Sequence, residues 1–379
     1  MGTPERDRTA EQRFTSREPS MDAGTPAASA SAAEALAKAA PRIARMTVSL
    51  SYMRRPADVL AHGKRRDRCL DDTRRHLAQL VAAVDVDEPA LFIAYVEWAQ
   101  TLLIKTGLDP AELVSHLGAL RDVLAVALPP DRAEAPRRFV AAALERLTSI
   151  EVESPSFLDP GAPLAALARG YFDAVREGDR ARALRLILAS TEEGTPVKDI
   201  YTHVVQPCQY EVGRLFHLKQ LSIAEEHYFT AVTQMLLSQL YPLTVSAARV
   251  DRRLVSTAVE GNLHELGARF VADFFEMAGW DTFYLGANTP TEHVLREVAR
   301  RKADVLAVSA ALSDHLPGVR ALIRAARDDD VCREVVLLVG GQPFRMVHHL
   351  WRRLGADGWA PSAEGAVHVA ERLVAARGA

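Results

Sequence analysis

Apolar positions along the chain fall into two regimes. From about residue 55 to 150 they recur every three or four positions. Leu70, Leu77, Leu80, Val81 and Val84 form one stripe, and Leu91, Phe92, Tyr95, Val96, Ala99, Leu102 and Leu103 a second. Leu113, Leu117, Leu120 and Val123 follow, then Phe139, Ala142, Ala143, Leu144 and Leu147. This period turns one face of each helix toward a common core. Asp109-Pro110 and Pro129-Pro130 mark helix boundaries, because proline lacks the N–H a helix interior needs. The region predicts a small helical bundle, with Tyr95 and Trp98 read most simply as core aromatics and, as the alternative, as residues lining a ligand. Residues 151–162 form a linker with prolines at 155 and 160. A second helical set is predicted at 163–178, 180–192, 196–216 and 221–241, stopped at Tyr241-Pro242. Ser222 with Glu225 three residues on predicts a capping box at the last of these helices.

The pattern then changes. Short apolar runs at Leu254–Val259, Thr282–Leu285, Val305–Ser309, Val335–Val339 and Gly358–Trp359 alternate with amphipathic stretches at 265–278, 290–302, 315–327, 343–353 and 363–376. Apolar strands separated by helices mean a parallel sheet covered on both faces. The expected fold class is therefore multidomain, α plus α/β: an N-terminal helical bundle (55–150), a four-helix unit (163–243) and a flavodoxin-like five-stranded parallel domain (252–378). Residues 1–45 are rich in Ala, Ser, Thr, Pro, Glu and Arg, and are predicted to be disordered.

Composition narrows the function classes. The chain has 379 residues, 46 Lys+Arg against 49 Asp+Glu, and a formal net charge of -3. That is not the basic field of a nucleic-acid binder, and Lys64-Arg65-Arg66 and Arg300-Arg301-Lys302 read as solvated faces. Cys69, Cys208 and Cys332 are far apart with no Cys-x-x-Cys spacing, which argues against a disulfide framework or zinc site and for a reducing compartment. No run reaches membrane-spanning length, and the N-terminus is polar. A cytoplasmic protein, with no membrane contact, is expected.

The candidate chemistry gathers at carboxyl ends of the predicted strands, where open α/β sheets bind ligands. Glu260-Gly261-Asn262-Leu263-His264-Glu265-Leu266-Gly267 sets a histidine between a strand and a helix. There Asn262 can fix the imidazole tautomer, and Gly267 lets the backbone be approached. Ser309 ends the third strand in Val308-Ser309-Ala310-Ala311-Leu312, and Gly340-Gly341 ends the fourth. Small residues there suit a slot for something flat. No nucleophile with a base and no acid–base pair stands out, so turnover chemistry is not expected.

The loop resembles the Asp-x-His-x-x-Gly signature of cobalamin-binding domains, and the resemblance covers roughly residues 163–375. It implies that His264 is the lower cobalt ligand, with Asn262 standing where the family has Asp. An uncharged partner makes His264 a somewhat weaker donor. Ser309 would contact the buried tail of the cofactor, with Ala311 where the family has Leu, and Gly340 and Gly341 would border the tail's channel. The helical set resembles the cap of cobalamin-dependent photoreceptors, in which a Trp precedes a Glu-His pair by ten residues. Here Phe216 precedes Glu226-His227 at that spacing. The resemblance implies adenosylcobalamin under Phe216, with Glu226 contacting the adenosyl group and His227 as the upper cobalt ligand after light. Photocobilins of this kind also bind a bilin, so non-covalent biliverdin is a second expected cofactor. The implied function is light sensing through a change of conformation or assembly, with self-association and an unknown downstream protein as partners. Direct DNA binding is not expected, since no helix-turn-helix is evident. Phe at the cap is also the pattern of methylcobalamin carriers, so the alternative is a corrinoid methyl-carrier subunit of a methyltransferase system. A helical adaptor that has lost cobalamin is a third reading.

Overall fold

The computed structural model describes residues 26–54, 63–147, 155–245 and 248–377. The N-terminal bundle comprises α1 (Pro26–Arg54), α2 (Gly63–Asp85), α3 (Pro89–Lys105), α4 (Ala111–Ala127) and α5 (Pro130–Leu147). The predicted stripes form its core: Leu77, Leu80, Phe92, Val96, Leu117, Leu120 and Phe139 are all essentially inaccessible. One expectation is overturned. Within the stretch predicted to be disordered, α1 buries Leu36, Ile43 and Ala44. Alanine-rich sequence has high helix propensity, and its few apolar side chains suffice once other helices supply the opposing surface. Residues 1–25 of that stretch lie outside the described residues.

The second helical set contains α6 (Ala165–Arg176), α7 (Arg180–Glu192), the short α8 (Val197–Asp199), a π-helical segment (Ile200–Val205), α9 (Gln206–His217) and α10 (Ile223–Thr244). The predicted capping box is present. Ser222 Oγ accepts the Glu225 N–H at 3.2 Å, and Glu225 Oε2 accepts the Ser222 N–H at 2.7 Å. Pro242 does not stop α10, which runs on to Thr244 with the proline inside its last turn. In the π segment, Tyr201 donates from its hydroxyl to Asp273 Oδ2 at 2.7 Å, tying this layer to the α/β domain. Desolvation holds the Asp273 carboxyl above the usual carboxylate range despite that bond.

The α/β domain alternates β1 (Arg253–Ala258), α11 (Leu266–Met277), β2 (Asp281–Tyr284), α12 (Thr291–Arg301), β3 (Val305–Ser309), a 3-10 turn (Ser313–His315), α13 (Leu316–Asp328), β4 (Val336–Gly340), α14 (Gln342–Met346), α15 (Leu350–Leu354), β5 (Gly358–Trp359) and α16 (Ala363–Arg377). The stretch predicted as one helix, 343–353, is thus two short ones. All strand pairs are parallel, in the order β2-β1-β3-β4-β5. The chain reverses direction across the sheet between β1 and β3, which makes their carboxyl ends the switch point where such folds bind ligands.

Period-two alternation divides the strands between two cores. Val255, Leu306, Leu337 and Val339 join a core continuous with that of the α1–α5 bundle. Leu254, Val305, Val336 and Leu338 join one shared with α6–α10. The bundle is fastened at its α2–α3 turn: Arg320 donates to the Asp85 carbonyl at 3.0 Å, and Arg353 to the Val86 and Asp87 carbonyls at 2.9 and 2.6 Å. Among the described residues no helix is long and apolar enough to cross a membrane.

Candidate functional site

The loop after β1 is stitched to its neighbours before it offers any chemistry. Gly261, at φ +85°, directs its N–H to Asn288 Oδ1 at 2.8 Å, and the Asn288 N–H returns to the Asn262 carbonyl at 3.1 Å. Asn262 is completely buried, whereas Leu263 is 75% exposed and His264 faces outward beside it.

The orientation of the Asn262 amide decides the chemistry of His264. Its Nδ2 donates to the Ser309 carbonyl at 3.1 Å. A carbonyl can only accept, so Oδ1 must be the atom turned toward His264. That oxygen lies 3.0 Å from the His264 backbone N–H and 3.2 Å from Nδ1. Nδ1 must therefore carry the proton, which leaves Nε2 with a free lone pair on the solvent side. An imidazole with one nitrogen pinned as a donor and the other bare is prepared to bind a metal through the bare nitrogen. The absence of a carboxylate at 262 does not cost this tautomer selection, because the Ser309 carbonyl orients the amide.

The strand register brings the other rim residues together. Ala258, Ser309 and Gly340 are paired across β1, β3 and β4. Gly267, at the start of α11, lies so close that an added Cβ would sit 3.6 Å from Ser309 Oγ. Gly341, at φ +110°, presses against the segment after β3: a Cβ there would meet the Ala310 carbonyl oxygen at 1.9 Å. Only glycine fits that approach. Around Gly340, by contrast, an added Cβ would find nothing within 4 Å. Ala311 is half-buried in the same segment.

The helical layer faces this rim. On α10, Gln234 donates to Glu265 Oε1, one residue past His264, and Tyr284 donates to the other carboxylate oxygen at 3.1 Å. His227 precedes Gln234 by two turns on the same helical face, roughly 10 Å along the axis. It is exposed, and its Nδ1 is 2.5 Å from Glu226 Oε2. Thr230 holds the other oxygen of Glu226 at 3.1 Å. Phe216, at the end of α9, is 36% exposed.

Two residues that sequence reasoning missed, and one it read first as core, lie beside these. His315, in the 3-10 turn, has its ring centroid 6.4 Å from that of His264 and accepts the Leu312 N–H on Nδ1 at 3.2 Å. His217 follows Phe216, their rings 5.9 Å apart. Its pKa is lowered, first by desolvation and then by the neighbouring His264. Trp98 is not a core aromatic: it is 37% exposed and meets His217 edge-on, with 5.0 Å between ring centroids. The position of His217 next to Phe216 was a legible signal. For Trp98 the sequence left core and ligand-lining roles open, because its partner is more than a hundred residues away.

These residues fit a metal held in a flat ring: His264 would supply one bond to it through Nε2, Gly340, Gly267 and Ala311 would leave room for the ring, and α10 would approach it from the facing layer.

Residues 252–368 match a family described as "B12 binding domain", and residues 167–241 match a second family of the same description. Dimethylamine corrinoid protein 3 of Methanosarcina mazei is 27% identical over 168 residues, 44% of this chain and 96% of that protein. Dimethylamine corrinoid protein 1 of Methanosarcina acetivorans is 28% identical over 167 residues, 44% of this chain and 75% of that protein. The structure of the Methanosarcina barkeri monomethylamine corrinoid protein is similar in fold, with TM-score 0.50 and 21% identity over 56% of this chain and 100% of that one. Residues 167–368 thus carry the two modules of a cobalamin-binding family, with α1–α5 preceding them. Over its second helical set and its α/β domain the chain is similar to corrinoid-binding proteins.

Proposed function

We propose that this chain is a corrinoid carrier: it holds a cobalamin between α9–α10 and the sheet rim, and presents the cobalt to a partner methyltransferase. The observation that carries the reading is the Asn262 amide, oriented by the Ser309 carbonyl so that His264 keeps Nε2 free. The names of its relatives, corrinoid proteins of dimethylamine, favour it over the light-sensing reading. Bound cobalamin supplies a cobalt–carbon bond that can be made and broken. The residues of this chain position it: His264 from below, Ser309, Ala311, Gly340 and Gly341 along the slot, and Leu263 and Phe216 as exposed apolar cover. Reconstitution tests this. The protein is titrated with hydroxocobalamin and the corrin absorption is followed. A spectrum typical of imidazole ligation, lost in His264→Ala, is expected; once an added reductant has taken the bound cofactor to cob(I)alamin and a methylamine donor is supplied, methylation is expected only with a partner methyltransferase present. Hydroxocobalamin passing through unbound sinks the proposal.

A second reading is favoured by one feature, the Glu226–His227 pair, which shares an α10 face with the Gln234 contact to the His264 loop. In it, the chain binds adenosylcobalamin, Glu226 contacts the adenosyl group, and His227 ligates cobalt after light, with self-association as output. Biliverdin would bind non-covalently in the bundle. Cys208 does not suit covalent attachment, since its thiol is buried, donates to the Ala168 carbonyl and has its pKa raised by desolvation. Spectra of the adenosylcobalamin complex before and after green light, in wild type and His227→Ala, separate the two readings.

A further inference from the structure

We propose that the N-terminal bundle is the third wall of the corrinoid site, with Trp98 as the residue that meets both the helical layer and the bound corrinoid. The inference rests on the corrinoid-carrier reading and extends it to a domain that the B12-binding matches do not include.

Two bundle helices approach the helical layer and the 3-10 turn beside the site. On α3, Tyr95 and Trp98 stand one turn apart with ring centroids separated by 5.6 Å. Trp98 continues the row to His217, and His217 continues it to Phe216. A chain of four rings thus runs from the bundle to the tip of α9. On α2, Asp72 lies near enough to Lys219 for their charges to interact, and the helix packs on the 3-10 turn that carries His315. His315 is itself in ring contact range of His264.

The placement is held firmly. Arg320 and Arg353 bind the backbone carbonyls of the α2–α3 turn, and His349 Nε2 lies 3.1 Å from Glu88 Oε2 next to it. The bundle also shares a continuous core with one sheet face. It is therefore not a tethered neighbour that comes and goes with a linker.

Trp98 and Ile104 are the exposed large apolar residues of α3. Phe92 and Val96, on the inward face, are fully buried, yet the indole is 37% exposed. A large aromatic left partly open beside His217 offers apolar surface suited to a flat, partly apolar ring system.

The test uses the full chain and hydroxocobalamin as probe. Affinity is measured by corrin absorbance for wild type, Trp98→Ala, Trp98→Phe and His217→Ala. Hydrogen exchange of α3 is measured with and without the probe. Loss of the indole contact should weaken binding about tenfold in Trp98→Ala, the effect of roughly 1.4 kcal/mol of buried ring surface. Trp98→Phe, which keeps a ring, should recover most of it. Exchange in α3 of the wild type should slow on binding, which reads the contact even if the alanine variant folds poorly. Unchanged affinity in a folded Trp98→Ala, or α3 exchange indifferent to the probe, overturns the inference and leaves the carrier reading intact. A wild type that does not bind hydroxocobalamin overturns both.

Discussion

Replacing Asn262 by alanine tests whether one buried amide sets the ligand quality of His264. The side chain makes three bonds, and they act on different quantities. Its Oδ1 accepts the His264 backbone N–H at 3.0 Å and its Nδ2 donates to the Ser309 carbonyl at 3.1 Å. These two hold the loop. At about 1 kcal/mol each, their loss should lower folding stability by about 2 kcal/mol. The Ser309 carbonyl is not orphaned, because the Val259 N–H still reaches it at 3.1 Å. The third bond, from Nδ1 to Oδ1 at 3.2 Å, acts on cobalt. Loss of such a supporting partner weakens metal affinity about 10–100-fold, equivalent to about 1.4–2.8 kcal/mol. Denaturant unfolding of the cofactor-free protein measures the first quantity, and titration with hydroxocobalamin the second. Asn262 acts only through His264, so the double variant Asn262→Ala/His264→Ala should bind no more weakly than His264→Ala alone. Affinity within twofold of wild type in Asn262→Ala, or additive losses in the double variant, would refute the reasoning. Asn262→Asp makes a sharper contrast. It strengthens the acceptor at Nδ1 but sets an oxygen against the Ser309 carbonyl, so a gain in ligation should come with a loss of stability.

Two further outcomes are expected. Gly341→Ala forces a Cβ to 1.9 Å from a backbone oxygen at φ +110°. It should destabilise the fold by about 3 kcal/mol in denaturant unfolding, whereas Gly340→Ala, with open space around it, should change little; equal effects would contradict the packing. The bundle should also be acid-sensitive. Burial pushes His76 down to about 3 and His116 to about 4. Both stay neutral in the fold at mild acidity, while the unfolded chain takes up protons below about pH 6.5. Stability should therefore fall as pH drops from 6.5 toward 4, by roughly 1.4 kcal/mol per pH unit for each histidine. His116→Gln should remove its share of that slope, and an unchanged slope in the variant counts against the assignment.

Much of this protein is written locally. The period-two and period-3.6 patterns determined the strands, the helices and the two architectural regimes, because burial of one face is a property of spacing. Ser222 and Glu225 specified the start of α10 within four residues. The strand–Asn-Leu-His–helix order marked His264 as a candidate only together with the downstream parallel-strand pattern and the Glu226-His227 pair, and the strand ends placed Ser309 and Gly340-Gly341 on the same rim. Composition misled at α1, where alanine-rich sequence read as disorder until Leu36 and Ile43 found partners in the bundle.

What the tertiary structure decided are the contacts between distant segments. The Asn262 amide has a definite orientation only because a carbonyl 47 positions later accepts from it. Gly341 is obligatory only because β3 ends against it. Trp98 belongs to the site only because Arg320 and Arg353 hold the bundle where α3 meets His217. Sequence spacing encodes which face of an element is apolar. Which faces meet, and so which donor finds which acceptor, is fixed by packing across the chain.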